Sequence, residues 1–279
     1  MDNIREVLLR HKWSLAKIYA YILVAEILSL AGPTFLGKGI DGLLAGDFTY
    51  VLLLLGLYLS ENALTYKRMV LDTKVFMQIY NEIIFDYLRR NSDSPATKKI
   101  ARTEMAHSIV DLFENDVIYF VTALFSTVGS LAFIFAGSFS AGVLVSIGCI
   151  PMVLFTKLYF KKIAQVNRVM YDHYEGKAAA VSSGDRKLTE SFFKRRKRIL
   201  VMFSTINGRQ WTSITLSKSI FLVSAVVVFT QTDPDLTQGE TLTLFSYTSQ
   251  FLSSLFAIPF GGGVLVRVKE TLNRIREED

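Results

Sequence analysis

Long apolar blocks alternate along this chain with shorter polar segments, and each block has the length needed to cross a bilayer. A helical crossing of ~30 Å of hydrocarbon takes ~20 mostly apolar residues at ~1.5 Å each. Six stretches meet that condition: Leu15–Leu36, Tyr50–Tyr66, Val117–Gly137, Ala141–Phe160, Trp211–Thr230 and Leu242–Val266. The pattern predicts an all-α polytopic membrane protein, a single transmembrane domain over residues 1–279. The first stretch is too long for a signal-peptide core, contains Glu26 and leads to no small-residue cleavage site, so it is read as a true span.

Between the blocks the helical period continues with charges added. Val75, Phe76, Ile79, Ile83, Ile84, Tyr87 and Leu88 recur at three-and-four spacing after the second block. Ile100, Ile109, Leu112 and Phe113 do so before the third, and Ile163, Val166 and Met170 after the fourth. These are predicted amphipathic continuations of the spans. About 20 further residues carry a helix ~30 Å beyond the bilayer, where its apolar face needs a partner. The turn-rich segments NSDSPATKK near Asn91 and SSGDRK near Ser182 fall at the tips. On the opposite side the loops are short: Asp41 to Asp47, Gly137 to Ser140 and Gln231 to Glu240. No internal repeat is evident.

Charge fixes the orientation. All but two of the 31 Lys and Arg residues lie on the side of the long loops; Lys38 is near the opposite face and Lys218 is inside the fifth span. By the positive-inside rule both termini and the long loops are cytoplasmic, which suits a plasma or bacterial inner membrane. Trp13 and Trp211 sit where spans would leave the cytoplasmic headgroup layer. The net charge of +6 therefore needs no nucleic-acid partner, and KRRKR, Lys194 to Arg198, is read as facing anionic lipid headgroups. Cys149 is alone in an apolar run, and His11, His107 and His173 share no ligand spacing, so no metal or other cofactor is expected on this chain.

GPTFLGKG, Gly32 to Gly39, is nearly a Walker A phosphate loop. That loop needs a preceding strand and a hydroxyl residue for magnesium. Here a helical apolar run precedes it, Gly39 has no hydroxyl, and the stretch belongs to the outer face. It is read instead as the end of a membrane helix, kinked at Pro33 and loosened by Gly37 and Gly39.

Intramembrane charges are the candidate sites, because an unpaired ion in hydrocarbon is costly and must face protein or water. Glu26 lies near mid-membrane, while Glu61 and Lys218 lie toward the cytoplasmic third, where they could pair. A structural ion pair, a snorkelling lysine and a cavity-lining role are all compatible with these positions. Pro259 with Gly261, Gly262 and Gly263 makes a hinge or a close helix contact, and Gly129 and Ser130 suit helix packing. Tyr247, Phe251, Phe256 and Phe260 suit a cavity wall or packing equally.

Several of these stretches carry a family resemblance. PTFLGKGIDGLL resembles the end of the first helix in the six-helix transmembrane domain of exporter-type (type IV) ABC transporters. TEMAHSIVDLFEND, Thr103 to Asp116, resembles the start of its third helix, and Leu236 to Phe260 its sixth, with Pro259 in place. The final TLNRIREE looks like the helix leading out of that domain. The resemblance implies half of a dimeric alternating-access pathway, formed with a second copy or a related chain. It further implies two cytoplasmic coupling tips, with Asp93, Pro95 and Lys98 in the first and Ser183, Asp185 and Arg186 in the second. The second tip does not closely match the family's usual residues. No Walker A, Walker B or signature residues occur, so ATP would act through a separately encoded ATPase. Met1 and the polar segment after it are read as a natural start. Two alternatives remain open: a gradient-driven transporter with Glu26 or Glu61 as the protonated group, or a non-transporting regulatory or assembly module.

Overall fold

The computed structural model describes residues 7, 9–90, 110, 112–175 and 184–255. Among them every regular element is helical and no strand occurs. Hydrocarbon offers the backbone no hydrogen-bond partners, and a helix satisfies its own. The elements are α1 (Lys12–Leu44), α2 (Thr49–Arg90), a π-helical turn (Leu112–Asp116) running into α3 (Val117–Gly137), α4 (Phe139–Glu175), α5 (Arg186–Thr232), and α6, described over 238–255. By length and composition four helical segments can cross a membrane: α1, Glu114–Gly137, Phe139–Tyr159 and α5. The expected second span lies on α2, where Ser60, Glu61 and Asn62 interrupt the apolar run. The expected sixth continues past the described residues. Asp93, Pro95, Lys98, Ser183, Pro259, Gly261, Gly262 and Gly263 also lie outside them, as do Phe256 and Phe260.

The continuations predicted after the second and fourth spans are present in α2 and α4, and the one predicted before the third lies largely outside the described residues. At ~1.5 Å per residue the 42 residues of α2 and the 47 of α5 span about 63 and 70 Å, twice the hydrocarbon thickness. The chain divides into two compact units, Met1–Gly142 with Val226–Asp279, and Val143–Ala225.

In the first unit α1 and α2 form an antiparallel hairpin. Gly46 takes φ 81° in the turn, a conformation that a side chain disfavours, and the Asp47 N–H returns to the Gly42 carbonyl at 2.7 Å. Asp47 then starts α2, its Oδ1 accepting from the Thr49 hydroxyl at 2.6 Å and the Thr49 N–H at 2.9 Å. These bonds hold the Asp47 carboxyl below its ordinary range. Where α2 outruns its span, Val75, Phe76 and Ile79 pack against Ile18 and Ile22 of α1, Ile118 of α3, Val7 and Val110. That cluster covers the apolar face which the period of three and four requires.

One expectation is corrected. α1 does not end in the GPTFLGKG stretch: it runs unbroken through Pro33, Gly37 and Gly39 to Leu44. Gly37 and Gly39 are buried, and a Cβ on Gly37 would strike the Thr243 hydroxyl and the Gly239 carbonyl of α6. The glycines admit a neighbouring helix and leave the helix intact. Gly129 works similarly, since a Cβ there would meet the Leu30 side chain, and Ser130 beside it is fully buried.

In the second unit α4 and α5 run antiparallel, with Gly148 against the Phe221 ring and His173 stacked on Phe192 at 4.0 Å between centroids. At the tip Gly184 takes φ 68° and Asp185 caps α5, accepting from the Lys187 N–H at 2.8 Å. Arg186 opens the helix and is exposed.

Gly37→Ala is expected to lower stability by about 1–3 kcal/mol, the usual cost of overpacking, read as a fall in the thermal midpoint in detergent. Gly56→Ala, whose Cβ would meet nothing within 4 Å, should leave the midpoint unchanged or raise it.

Candidate functional site

The polar contacts of α1 gather in two stretches along its length. On its C-terminal half they join α6. Asp41 Oδ2 accepts from the Thr237 hydroxyl at 2.6 Å, and Oδ1 accepts from the Gly239 N–H at 2.9 Å, so α1 supplies the cap for the start of α6. The Thr243 hydroxyl donates to the Pro33 carbonyl at 3.1 Å. The Tyr247 hydroxyl donates to the Leu30 carbonyl at 2.6 Å. With its one proton so used, it accepts from the Thr34 hydroxyl at 2.7 Å. Phe133 of α3 stacks on the Tyr247 ring, 4.7 Å between centroids and 3° from parallel. Thr127 and Ser254 join α3 to α6 at 3.0 Å. Three turns of α1 are thereby fixed to α6 through main-chain and hydroxyl groups.

Nearer its N-terminus α1 meets α2 through ionisable groups. Ser29 hydrogen-bonds the Glu61 carboxylate. Half-buried Glu26 is repelled by Glu61 and attracted by Arg68. Farther along α2 Arg68 Nε lies 3.4 Å from Asp72 Oδ2, and Tyr19 faces Asp72. Glu82 then takes His11 Nε2 at 2.8 Å and Arg10 at 3.6 Å. The antiparallel register lays these contacts in a row along one groove. Chemically the row can hold and exchange protons, or bind a cationic group.

The candidates named from the sequence are distributed as follows. Glu26 and Glu61 come together, with Pro33 two turns from Glu26 in the clamped stretch of α1. Lys218 is half-buried on α5 in the second unit, next to buried Ser217. Tyr247 and Phe251 are packed inside, each 1% exposed. Lys194 to Arg198 lie in the N-terminal half of α5, where Phe193, Lys197 and Val201 line a shallow open groove. Trp13 and Trp211 are exposed, as interfacial tryptophans are.

Asp41, Asp72 and the π turn were not singled out from the sequence. A signal existed for Asp72, which falls among the periodic apolar positions of α2, four residues after Arg68 and three before Val75. The π turn left no pattern of its own.

The chain matches the family model described as the ABC transporter transmembrane region over residues 4–239. No curated protein matches it significantly.

Tyr247→Phe keeps the ring against Phe133 and removes both hydroxyl contacts. A double-mutant cycle with Thr34→Val, read by thermal unfolding in nanodiscs, is expected to give a coupling of about 0.6–1.7 kcal/mol, the range for hydrogen bonds between membrane helices. Zero coupling would place the binding of α1 to α6 elsewhere.

Proposed function

The chain belongs to the family of ABC transporter transmembrane regions, and from that premise we propose that it forms one membrane-spanning half of a dimeric, alternating-access transporter. A separately encoded ATPase supplies the energy. The chain itself binds no nucleotide and performs no hydrolysis; its cytoplasmic tips, around Asp93 to Lys98 and Ser183 to Arg186, receive the ATPase. The other half is a second copy or a related chain. Both termini are cytoplasmic, in a plasma or bacterial inner membrane.

One observation carries this reading. α2 and α5 run about twice the thickness of the hydrocarbon, and α2 keeps Val70, Met77, Phe85 and Leu88 exposed along one side of its extension, Phe85 by 68%. Beyond the bilayer no lipid covers those side chains, and an apolar face of that length in water is a docking surface. A second membrane-spanning half supplies the matching helices. As a membrane transport component, the chain gains from such pairing a path enclosed by protein rather than lipid.

A second reading, transport driven by an ion gradient without an ATPase, is favoured by the adjacency of Glu26 and Glu61. Two carboxylates facing each other away from bulk water cannot both remain charged cheaply, which gives a coupling proton a place to sit.

Native mass spectrometry of the purified chain in lipid nanodiscs is expected to show two copies, and Phe85→Asp to shift the population to one. A single copy in the unaltered protein would refute pairing between copies. Adding an ATPase subunit encoded beside it should then give ATP turnover that rises on association, and flux under a proton gradient alone would favour the second reading.

A further inference from the structure

We propose that Asp72 is a proton-binding site, held at the cytoplasmic end of the α1–α2 groove between Tyr19 and the π turn that carries Glu114. The site is distinct from the Glu26–Glu61 pair and lies 11 residues, about 16 Å, farther along α2. The inference rests on the surroundings of Asp72 and holds whichever energy source drives transport.

Asp72 is placed where a carboxylate is poorly served. Its side chain is 7% exposed, and it stands beside the apolar cluster of Ile18, Val75 and Phe76. An ionised carboxylate has two oxygens and about four acceptor sites to satisfy. Among the described residues Oδ1 has no hydrogen-bond partner, and neither does Arg68 Nε. The Arg68 contact at 3.4 Å is longer than the ~2.7–2.9 Å of a well-formed charged hydrogen bond. Among the described residues, the charged and titratable groups that face Asp72 are Arg68 on its own helix, Tyr19 on α1 and Glu114 on the π turn. One attracts its charge, one repels it, and the phenol is neutral. A proton on Asp72 removes the buried charge, ends the repulsion with Glu114 and turns an orphan acceptor into a donor. A metal ion fits less well, because among the described residues no group of three His, Cys, Asp or Glu gathers there.

The electrostatics run the same way. Burial pushes the Asp72 carboxyl above its ordinary range; Arg68 opposes the shift and Glu114 adds to it. With the folded-state value raised, the folded chain binds the proton more tightly than the unfolded chain does. The penalty for ionising Asp72 is absent below the ordinary aspartate range. It grows as pH rises through the folded value and is complete above it.

The π turn gives the site a way to release its proton. Such turns hold one residue more than an α-helical turn and are frequent at functional sites. Converting Leu112–Asp116 to α-helical register would rotate Glu114 relative to Asp72. The repulsion that favours protonation would change with it. Proton affinity is thereby tied to the position of α3, which the turn leads into.

The test is an infrared titration of the purified chain in lipid vesicles, with its aspartates carrying a carbon isotope label, from about pH 4 to pH 9. No ATPase or substrate is present, so failure of the transport reading leaves the result intact. The expected result is a protonated aspartate carboxyl band persisting above the ordinary aspartate range and lost in Asp72→Asn. In Glu114→Gln the same band should remain, with its midpoint moved to lower pH. A band unchanged in Asp72→Asn, or absent from the unaltered protein above the ordinary range, would overturn the proposal. Where Asp72→Asn fails to fold, Glu114→Gln decides: a lowered midpoint supports the site, and an unmoved one refutes it.

Discussion

Hydrocarbon supplies no hydrogen-bond partner, so every polar group carried into it must be met by another group of the same protein. In this chain α1 bears most of that demand. Pro33 lacks an N–H and leaves the carbonyl one turn earlier without its helical donor. Around that position Thr243 and Tyr247 of α6 supply hydroxyls to the Pro33 and Leu30 carbonyls. The close approach needed for this is possible because Gly37 and Gly239 present no side chains to each other. Helix contact and polar satisfaction are one requirement here: enlarge either glycine and the donors no longer reach their carbonyls.

The N-terminal part of α1 meets the requirement with charges. Ser29, Glu26 and Tyr19 look across at Glu61, Arg68 and Asp72, and the groove they share runs along α2 toward Glu82. A purely structural interface would be served by small or apolar residues, which pack membrane helices without desolvating ions. Retaining four carboxylates and two guanidinium groups along the groove costs stability, and such a cost is usual at sites that move charge. The clamp to α6 and the acidic groove to α2 thus divide α1 into a fixed C-terminal half and a chemically responsive N-terminal half.

The parts of this arrangement that follow from periodicity were legible in the sequence. Apolar blocks gave the helices, and the three-and-four spacing after Tyr66 gave the extension of α2 together with its need for a covering cluster. Glu26 and Glu61 stood out because charge is rare in such blocks. The role of Gly37 and Gly39 was not legible, because a glycine that ends a helix and one that admits a neighbour look alike until the neighbour is known. Asp72 was hidden for a related reason: one carboxylate among many in a charged cytoplasmic segment reads as solvated, and only packing by α1 and the π turn removes it from water. The contribution of Asp41 depends on Thr237 and Gly239, nearly two hundred residues away, which no local pattern reveals.

All of this depends on which segments the bilayer covers and which side keeps the basic loops. The direct measurement is labelling of intact cells with a membrane-impermeant thiol reagent, using single-cysteine variants in a Cys149→Ser background. The account predicts that Lys38→Cys reacts from outside, and that Lys194→Cys reacts only after the membrane is permeabilised. Reaction of Lys194→Cys in unbroken cells would contradict it.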